Sequence, residues 1–594
     1  MPTSVSARSV GPRHPSSRSW LLAIPVVAIA ALMAPMALTG RTFGIDWSGH
    51  LWLVEMQQRN IEALGHPSLF VQSGLGAFYA WYAFYGGTLY GLAGGLAALS
   101  GGHTTVAYIV FYGLAFVMSY GGCWWVGRQA GLSGWSTHAA PLLFVTSAYF
   151  LTDSYARGAW PETMAVSSIP LVVGAAGALL EGERLRRWPA LVLLVAGTVL
   201  TGSHNITLLL STIFFALLLA IAVVAGASLR ALPWRRVLVI AGLLAVAVAI
   251  NLWFLLPDIA FGTRTYIGAN PTPPYMPRLT LDLLLDPLRD SLLGSSPNLG
   301  PTPTFDTQLP TLALLWSLVA LAISWRAVGS TARRMAVGIA VLLVALIVLI
   351  VSPGIWPHLP RLLWNVQFPY RLLSYAIFCV LALTIIALRH LHQGRSRRVA
   401  LGVLLAIVAI ECGQAMRQIW ATPSAVTSRA QIYTLGPSWW TRFVTPGEGV
   451  FGDEFSDYSE REVNPSRGGA TIEVPARGPV KHGYAVSFTS PGPGTIATNI
   501  QTGSYMLKLG GATPAGRVLD GSLVVRLDVP AGKPARVTFQ PGSSWPLRVG
   551  RDVSLAGCVA ALALLLWVLL GALRWLGAML RIRRSTRRTA SSQA

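Results

Sequence analysis

Long apolar segments, many of them separated by short basic segments, make up most of the sequence outside residues 417–552. Trp20 to Leu38 and Val553 to Leu570 are two examples, and each has about the 18 apolar residues that a helix needs to cross a bilayer. Only 11% of the 594 residues are charged and the mean hydropathy is +0.55, whereas soluble proteins carry about 25% charged residues. These features exclude a water-soluble enzyme and predict a polytopic α-helical membrane protein.

The net charge of +22 is concentrated in one set of segments between the apolar runs. That set contains 23 arginines and two acids, for a net charge of +21, and the rest of the chain carries +1. Because basic loops resist translocation, the set is predicted to be cytoplasmic, and nucleic acid is not expected as a partner. The segments are the N-terminal tail, the loop around Arg128, Glu181 to Arg187, Arg230 to Arg236, Arg326 to Arg334, Arg389 to Arg398, and the tail from Arg574.

Alternation of these segments with the remaining loops predicts about 12 spans, with both termini in the cytoplasm. Trp20 to Leu38 is predicted to be an uncleaved first span, because it is long for a signal peptide and lacks a clean cleavage site. The aromatic, Gly-rich segment Phe78 to Leu99 is predicted to be re-entrant or interfacial, since counting it as a span would misplace every basic loop. The predicted spans are 20–38, 104–125, 136–152, 164–180, 189–203, 206–226, 236–256, 310–325, 335–352, 371–389, 399–416 and 553–573.

Composition divides the chain into five predicted parts. A transmembrane domain at 20–416 is followed by a polar extracytoplasmic domain at 417–552 and a last transmembrane helix at 553–580. Basic cytoplasmic tails at 1–19 and 581–594 flank these parts, and the second is predicted to be disordered. The four cysteines lie in or beside apolar runs, so neither a disulfide framework nor a thiolate metal site is expected.

The polar domain becomes β-rich from about residue 465. Apolar and polar residues alternate there with a period of two, and Pro-Gly, Gly-Gly and Ala-Gly pairs separate the runs. This pattern predicts a small β-sandwich outside the membrane. The predicted strands are Thr471 to Val474, Tyr484 to Thr489, Tyr505 to Leu509, Ser522 to Val529 and Arg536 to Phe539.

The first outer loop supplies the first pair of candidate site residues. Asp46 follows the first span closely, and His50 would share its face if a helix begins here. The pair would place an acid and an imidazole together at the membrane surface. The alternative is that Asp46 is only the N-cap of an interfacial helix that runs to Leu64.

Three further outer segments carry polar groups at the ends of predicted spans. Each has a structural alternative: ion pairing of Arg157 with a nearby acid, helix capping by His204, and snorkelling of Arg371 to the headgroups. Because the spans themselves contain few ionisable groups apart from Glu411, groups converging at one depth indicate a cavity for a lipid headgroup. The candidates are Asp153, Arg157, Glu162, His204, Asn205, Gln367 and Arg371.

The order of these motifs resembles a known family. A Tyr-x-Arg-Gly-x-x-Pro-Glu-like loop (Tyr155, Arg157, Gly158, Glu162), Ser-His-Asn in an outer turn, and Gln-Phe-Pro-Tyr-Arg ending at Arg371 precede the β domain. This order resembles bacterial 6-pyruvoyl-tetrahydropterin-synthase-related membrane proteins and large membrane proteins implicated in glycosylating cell-envelope polymers. Both are similar to the GT-C glycosyltransferases, which take a sugar from a polyprenyl-phosphate carrier.

The resemblance implies an inverting transfer at the outer face of the bacterial cytoplasmic (inner) membrane, to an envelope glycan, lipid or protein acceptor. It implies that Asp46 is the general base, and arginines would meet the charge of the lipid phosphate. A divalent metal is possible, but no spacing supports it, since the first loop lacks an Asp-x-Asp or Glu-x-Asp pair. The residues expected to bind substrate are His50, Asp153, Arg157, Glu162, His204, Asn205, Gln367 and Arg371.

Two other functions remain open at this stage. One is a transporter or flippase for lipid-linked saccharides, although repeated halves and charged helices at the midplane are not visible. The other is a non-catalytic assembly protein whose β domain binds envelope glycan. The lipid bilayer is an expected partner in all three cases, and the sequence indicates no particular partner subunit.

Overall fold

The structure is a computed structural model that describes most of the helical part and the strands of the polar domain. The described residues are 21, 23–39, 46–72, 78–181, 186–226, 233–262, 273, 280–285, 307–391, 394–421, 471–473, 484–489, 494–497, 506–510, 513–519, 523–529 and 534–591. The predicted tail at 1–19 and most of the segments 263–306 and 422–470 lie outside this set.

The described chain is mostly helical. In chain order the helices are α1 (Ala23–Thr39), α2 (Trp47–Leu64), α3 (Gly87–Leu99), α4 (Thr104–Gln129), α5 (Ser136–Val145), α6 (Ala148–Leu151), α7 (Trp160–Leu180), α8 (Arg187–Ser203), α9 (Asn205–Val224), α10 (Trp234–Phe261), α11 (Leu281–Leu285), α12 (Thr311–Ser324), α13 (Ser330–Val351), α14 (Leu373–His390), α15 (Arg395–Ala421) and α16 (Trp545–Ser591).

Eight helices in the described residues are long and apolar enough to cross a membrane. Four shorter apolar helices, α1, α3, α8 and α12, accompany them, so the count of twelve spans stays a prediction. The eight are Thr104–Gln129, Trp160–Leu180, Asn205–Val224, Trp234–Phe261, Ser330–Val351, Pro369–His390, Ser396–Trp420 and Trp545–Arg574.

The segment predicted to be the span 136–152 contains two helices rather than one continuous helix. Helix α5 ends at Val145, and α6 begins only after Ser147, whose backbone is extended at φ −61° and ψ 143°. The side chains of Thr146 and Ser147 bond to the carbonyl oxygens of Leu142 and Phe144 at 2.8 and 2.7 Å. These local bonds accompany the end of α5 and leave the extended Ser147 between the two helices.

The segment Phe78 to Leu99 forms a two-residue strand, a 3₁₀ turn and the 13-residue helix α3. A helix of this length rises about 20 Å, which is less than the thickness of a bilayer's apolar core. Helix α3 packs against α2, and Gly94 allows the close approach because a Cβ there would meet the backbone of Gln57 and Gln58. Gly94 therefore allows close packing of α3 against α2.

Helix α7 lies in the core of the helical part. It packs against α4 and α8, and its first ten residues are all buried. Helix α10 packs against α8 and α16, where the Ser554 hydroxyl donates to the Ala249 carbonyl at 3.0 Å and accepts from the Trp253 N–H at 2.7 Å. The Tyr375 hydroxyl of α14 donates to the Thr207 carbonyl in the first turn of α9 at 3.0 Å, so the beginnings of these two helices and the end of α8 meet at one end of the packed helices.

The polar domain contains seven described strands. They are β3 (Thr471–Glu473), β4 (Tyr484–Thr489), β5 (Gly494–Ala497), β6 (Leu507–Gly510), β7 (Thr513–Leu519), β8 (Leu523–Val529) and β9 (Pro534–Pro541), after the short pair β1 (Val71–Gln72) and β2 (Phe78–Tyr79). All pairings are antiparallel, in sheets of order β3-β4-β9-β6 and β5-β8-β7. Strands β5 and β7 were absent from the sequence prediction.

The last helix differs from its predicted bounds at both ends. It begins at Trp545 rather than 553, and it continues to Ser591 through the region that was predicted to be a disordered tail. Pro546 suits a first helical turn, and arginine, leucine and alanine, which dominate 574–591, favour helix. Helix α15 likewise extends to Ala421 beyond the predicted domain boundary at 416.

Candidate active site

Three charged side chains of the second predicted outer loop form a buried cluster. The Arg157 Nη1 lies 2.5 Å from Asp153 Oδ1 and 3.0 Å from Glu162 Oε2. All three residues are 3% exposed or less. Buried charges persist only when they are paired and hydrogen-bonded, so the ion-pair alternative for Arg157 describes part of this geometry.

The loop reaches this geometry through an unusual local fold. Thr152–Arg157 is a π-helical turn, and Gly158, at φ 70°, lets the chain reverse so that the Ala159 N–H bonds to the Asp153 carbonyl at 2.9 Å. Pro161 then starts α7 and places Glu162 in its first turn. The sequence thereby folds both acids back onto one guanidinium.

Arg371 joins the cluster from the start of another helix. Its Nε lies 3.1 Å from Glu162 Oε2, and its Nη1 donates to the Val366 carbonyl at 3.0 Å and to Gln367 Oε1 at 3.2 Å. Arg371 is 6% exposed. A snorkelling arginine would extend towards water, so this buried, multiply bonded side chain does not fit that alternative.

Asp46 lies beside this cluster but is not hydrogen-bonded to it through its side chain. Its backbone is helical at φ −86° and ψ −9°, and its side chain makes no capping bond to α2. Its N–H donates to the Arg157 carbonyl at 2.8 Å. No described residue donates a hydrogen bond to its partly exposed carboxylate, which leaves both oxygens available to another molecule.

Burial raises the pKa of Asp46 from 3.8 to about 6, because the desolvation outweighs the attraction of Arg157 and Arg371. Glu162 adds a smaller upward push. A carboxylate with a pKa near neutrality is a stronger base than an ordinary aspartate and is still ionised at pH 7.

His50 and His204 flank the Tyr85 ring. His50 lies parallel to Tyr85 at a centroid distance of 6.0 Å, and His204 meets Tyr85 edge-on at 5.5 Å. Burial, together with nearby positive groups, lowers the pKa of each imidazole to about 3. Both histidines are therefore neutral at any physiological pH.

The hydrogen-bond network assigns a proton to the Nε2 atom of each histidine. Thr207 N–H donates to His204 Nδ1 at 3.3 Å, and the Tyr90 hydroxyl, which has no other partner among the described residues, lies 2.5 Å from His50 Nδ1. Each Nδ1 thus accepts, and each Nε2 is a donor. Both Nε2 atoms are buried and have no partner in the described part of the chain, so they can donate to a ligand.

His204 therefore caps a helix, as the structural alternative predicted, and its second ring nitrogen remains without a partner in the described part of the chain. It caps α9 through Nδ1, while Nε2–H is unused. An unsatisfied buried donor costs about 1–3 kcal/mol. That cost favours a ligand oxygen at this position.

Asn205 is close to the site but belongs to a different contact. Its Nδ2 donates to Asp258 Oδ2 at 2.6 Å and to the Phe84 carbonyl at 3.2 Å. Among the described residues it forms no hydrogen bond to the arginine cluster, unlike Gln367. The structure thus brings Asp153, Arg157, Glu162 and Arg371 into one network, with Asp46, His50 and His204 beside it.

Several site residues were missed from the sequence. Tyr149 donates to Glu162 Oε1 at 2.9 Å, and Asp258 pairs with Asn205. Tyr85 lies between the two histidines. The density of aromatics in 78–90 was a signal, but it did not indicate which ring would contact which side chain.

No group of three or more His, Cys, Asp or Glu side chains in the described residues is arranged to hold a metal ion. The arrangement instead combines two guanidinium groups, two neutral N–H donors and one unbonded carboxylate. The donors suit an anionic, oxygen-rich ligand, and the carboxylate suits removal of a proton from it or from a neighbour.

No family model and no curated protein matches the chain. Among solved structures it is similar to the arabinofuranosyltransferase AftD from Mycobacteria, with TM-score 0.44, 16% identity, and 68% of this chain and 27% of that chain covered. It is also similar to ArnT from Cupriavidus metallidurans bound to undecaprenyl phosphate, with TM-score 0.42 and 13% identity, and 72% of this chain and 69% of that chain are covered. A third similar structure is the oligosaccharyltransferase AglB from Archaeoglobus fulgidus in complex with an inhibitory peptide and a dolichol-phosphate. Its TM-score is 0.39 and its identity 13%, and 73% of this chain and 59% of that chain are covered.

The chain thus spans about a quarter of the AftD chain. Similarity at this level assigns neither a family nor an activity to the protein.

Proposed function

We propose that this protein is a membrane glycosyltransferase that moves a sugar from a polyprenyl-phosphate donor to an envelope glycan, lipid or protein acceptor. The reaction is inverting, and it takes place at the outer face of a bacterial cytoplasmic membrane. The observation that carries the proposal is the position of the Asp46 carboxylate, unbonded and partly exposed, beside the buried Arg157–Glu162–Arg371 cluster.

Asp46 acts as the general base. It takes the proton of the acceptor hydroxyl while the hydroxyl oxygen attacks the anomeric carbon of the donor sugar. A sugar hydroxyl is a weak nucleophile unless its proton is removed as the bond forms. The raised pKa of Asp46 gives the carboxylate the basicity for this step.

The bond between the anomeric carbon and the phosphate oxygen breaks in the same step, and its electron pair remains on the phosphate. Arg157 and Arg371 stabilise that charge. Because the site is buried, each guanidinium interacts more strongly with a phosphate than it would in water. The Nε2–H groups of His50 and His204 donate to oxygens of the sugar or phosphate without adding charge.

The polar domain has a supporting role in this proposal. We place its two sheets as a β-sandwich outside the membrane that guides the acceptor, with both chain termini on the cytoplasmic side. A cysteine at Ser296 or Ser456 should then be labelled from outside by an impermeant reagent, whereas one at Ser396 should not. Labelling of Ser396→Cys would overturn the orientation.

The function is tested by mass spectrometry of envelope glycans from cells that lack the gene and carry one of three copies. The wild-type copy and Asp552→Asn should restore the missing glycan, and Asp46→Asn should not. Asp552 is a matched control because it is an exposed aspartate whose one partner among the described residues is the neighbouring Arg551.

Two outcomes would replace the proposal. Restoration of the glycan by Asp46→Asn would favour an assembly protein that needs no base. Transbilayer movement of a lipid-linked saccharide by purified protein, without sugar transfer, would favour a flippase.

A further inference from the structure

The rings of Phe368 and Tyr370 stack, with centroids 5.3 Å apart and planes within 6° of parallel. One guanidinium group lies over each of the two rings. The Arg371 guanidinium carbon lies 5.1 Å from the Phe368 centroid, and that of Arg157 lies 5.1 Å from the Tyr370 centroid. The stacked pair therefore connects the two arginines of the cluster.

Glu162 connects the same two arginines through a single oxygen. Its Oε2 lies 3.0 Å from Arg157 Nη1 and 3.1 Å from Arg371 Nε, so these nitrogens are no farther apart than the sum of the two distances. Two like charges this close repel each other strongly in a buried site. The bridging carboxylate and the electron-rich ring faces offset that repulsion.

A strained turn brings the Phe368 ring into this position. Gln367, at φ 60°, is the only non-glycine residue with positive φ in the described part of the chain. The Phe368 N–H bonds to the Val366 carbonyl at 2.6 Å, which closes a three-residue turn around Gln367. Arg371 Nη1 holds the turn through Val366 O and Gln367 Oε1, so the arginine and the turn support each other.

We propose that Phe368 and Tyr370 form an aromatic spacer that positions Arg157 and Arg371 as a pair for one phosphate group. The proposal rests on the proposed function and adds two positioning residues to it. The close spacing suits the oxygens of a single phosphoryl group, which both guanidiniums can reach together. The rings act through the arginines and do not touch the reacting atoms.

The test measures the affinity of the full-length protein in nanodiscs for undecaprenyl phosphate and for undecaprenol, which lacks the phosphate. Phe368→Leu and Tyr370→Leu should each weaken binding of undecaprenyl phosphate by about tenfold and leave undecaprenol binding unchanged. Tyr370→Phe keeps the ring and should bind as the wild type does. If Tyr370→Leu does not fold, Phe368→Leu, at a less buried position, decides the test.

Phe144→Leu is the matched control, because Phe144 stacks on Phe378 with ring centroids 4.9 Å apart and is as buried as Tyr370. It should lower thermal stability without changing phosphate affinity. Wild-type affinity in both leucine variants of the spacer, or an equal loss in Phe144→Leu, would overturn the spacer alone. If the wild-type protein itself does not bind undecaprenyl phosphate, the proposed function and the spacer fail together.

Discussion

The backbone N–H of Asp46 donates to the carbonyl oxygen of Arg157 at 2.8 Å. This bond ties the beginning of α2 to the end of the π-helical turn, two segments more than 100 residues apart in the chain. The proposed base and one proposed phosphate ligand are therefore placed by main-chain contact. Because backbone atoms fix the spacing, a change in the Asp46 side chain need not move Arg157.

Asp46→Asn should consequently remove the base without disturbing the cluster. Asparagine keeps the size of the side chain but cannot accept the proton, so kcat should fall by about 100-fold or more while the KM for the donor changes little. Transfer is measured with purified protein and a polyprenyl-phosphate sugar, and Asp552→Asn serves as control. Near-normal turnover in Asp46→Asn would end the general-base proposal.

The pH dependence of the reaction should report the ionisation of Asp46. Its carboxylate must be ionised to act, and its pKa is raised to about 6. Therefore kcat/KM should fall about tenfold per pH unit below 6 and level off above 7. The imidazoles of His50 and His204, with pKa values lowered to about 3, add no step in this range. Burial and the charge of Glu162 raise the pKa of Asp153, so the residual activity of Asp46→Asn is profiled in parallel, and only the step that the variant loses belongs to Asp46. A profile that is flat down to pH 5 would contradict the assignment.

Much of the helical layout could be predicted from the sequence, because apolar length and basic loops are local signals. The predicted span 104–125 lies within α4, and 189–203 lies within α8. The break between α5 and α6 could not be predicted in this way. Thr146 and Ser147 make hydroxyl bonds to preceding carbonyl oxygens at the break, but serine and threonine make the same bonds inside continuous helices, for example Ser167 in α7.

The charged residues of the site could also be predicted from the sequence, because charged groups at the ends of apolar spans are expected to lie at the membrane surface. Arg157, Glu162 and Arg371 were all identified from the sequence, and both arginines contact the same oxygen of Glu162. The aromatic contacts of the site could not be predicted from the sequence. Tyr85 contacts His50 and His204 from a distant segment, and hydropathy does not specify which ring of an aromatic run meets which partner.

Asp46 should also lower the stability of the folded protein at neutral pH. Its folded pKa lies above the ordinary value of 3.8, so ionisation is harder in the folded state and stability is lost as pH rises from about 4 to 6. Asp46→Asn has no such cost and loses no capping bond. Its unfolding temperature should match the wild type at pH 4 and exceed it at pH 8. An equal difference at both pH values would show that burial of the charge is not the cause.

Substitution of Arg371 separates phosphate binding from a general need for positive charge. The wild-type side chain pairs with Glu162 and holds Val366 and Gln367 through a second nitrogen. Lysine keeps the charge but has a single nitrogen, so it cannot reproduce the fork. Arg371→Lys should weaken binding of the donor lipid about tenfold, and Arg371→Ala about 100-fold.

The acceptor's apparent affinity should change little in either variant, because Asp46 and the polar domain are untouched. Glu162 retains Arg157 and Tyr149 as partners in Arg371→Ala, which favours folding of the variant. Arg361→Lys, an exposed change in the same loop, where the native arginine lies 5.9 Å from the Trp364 ring, is the control and should bind normally. If lysine replaced Arg371 fully, a simple headgroup contact would suffice, and wild-type binding by both variants would remove Arg371 from the site.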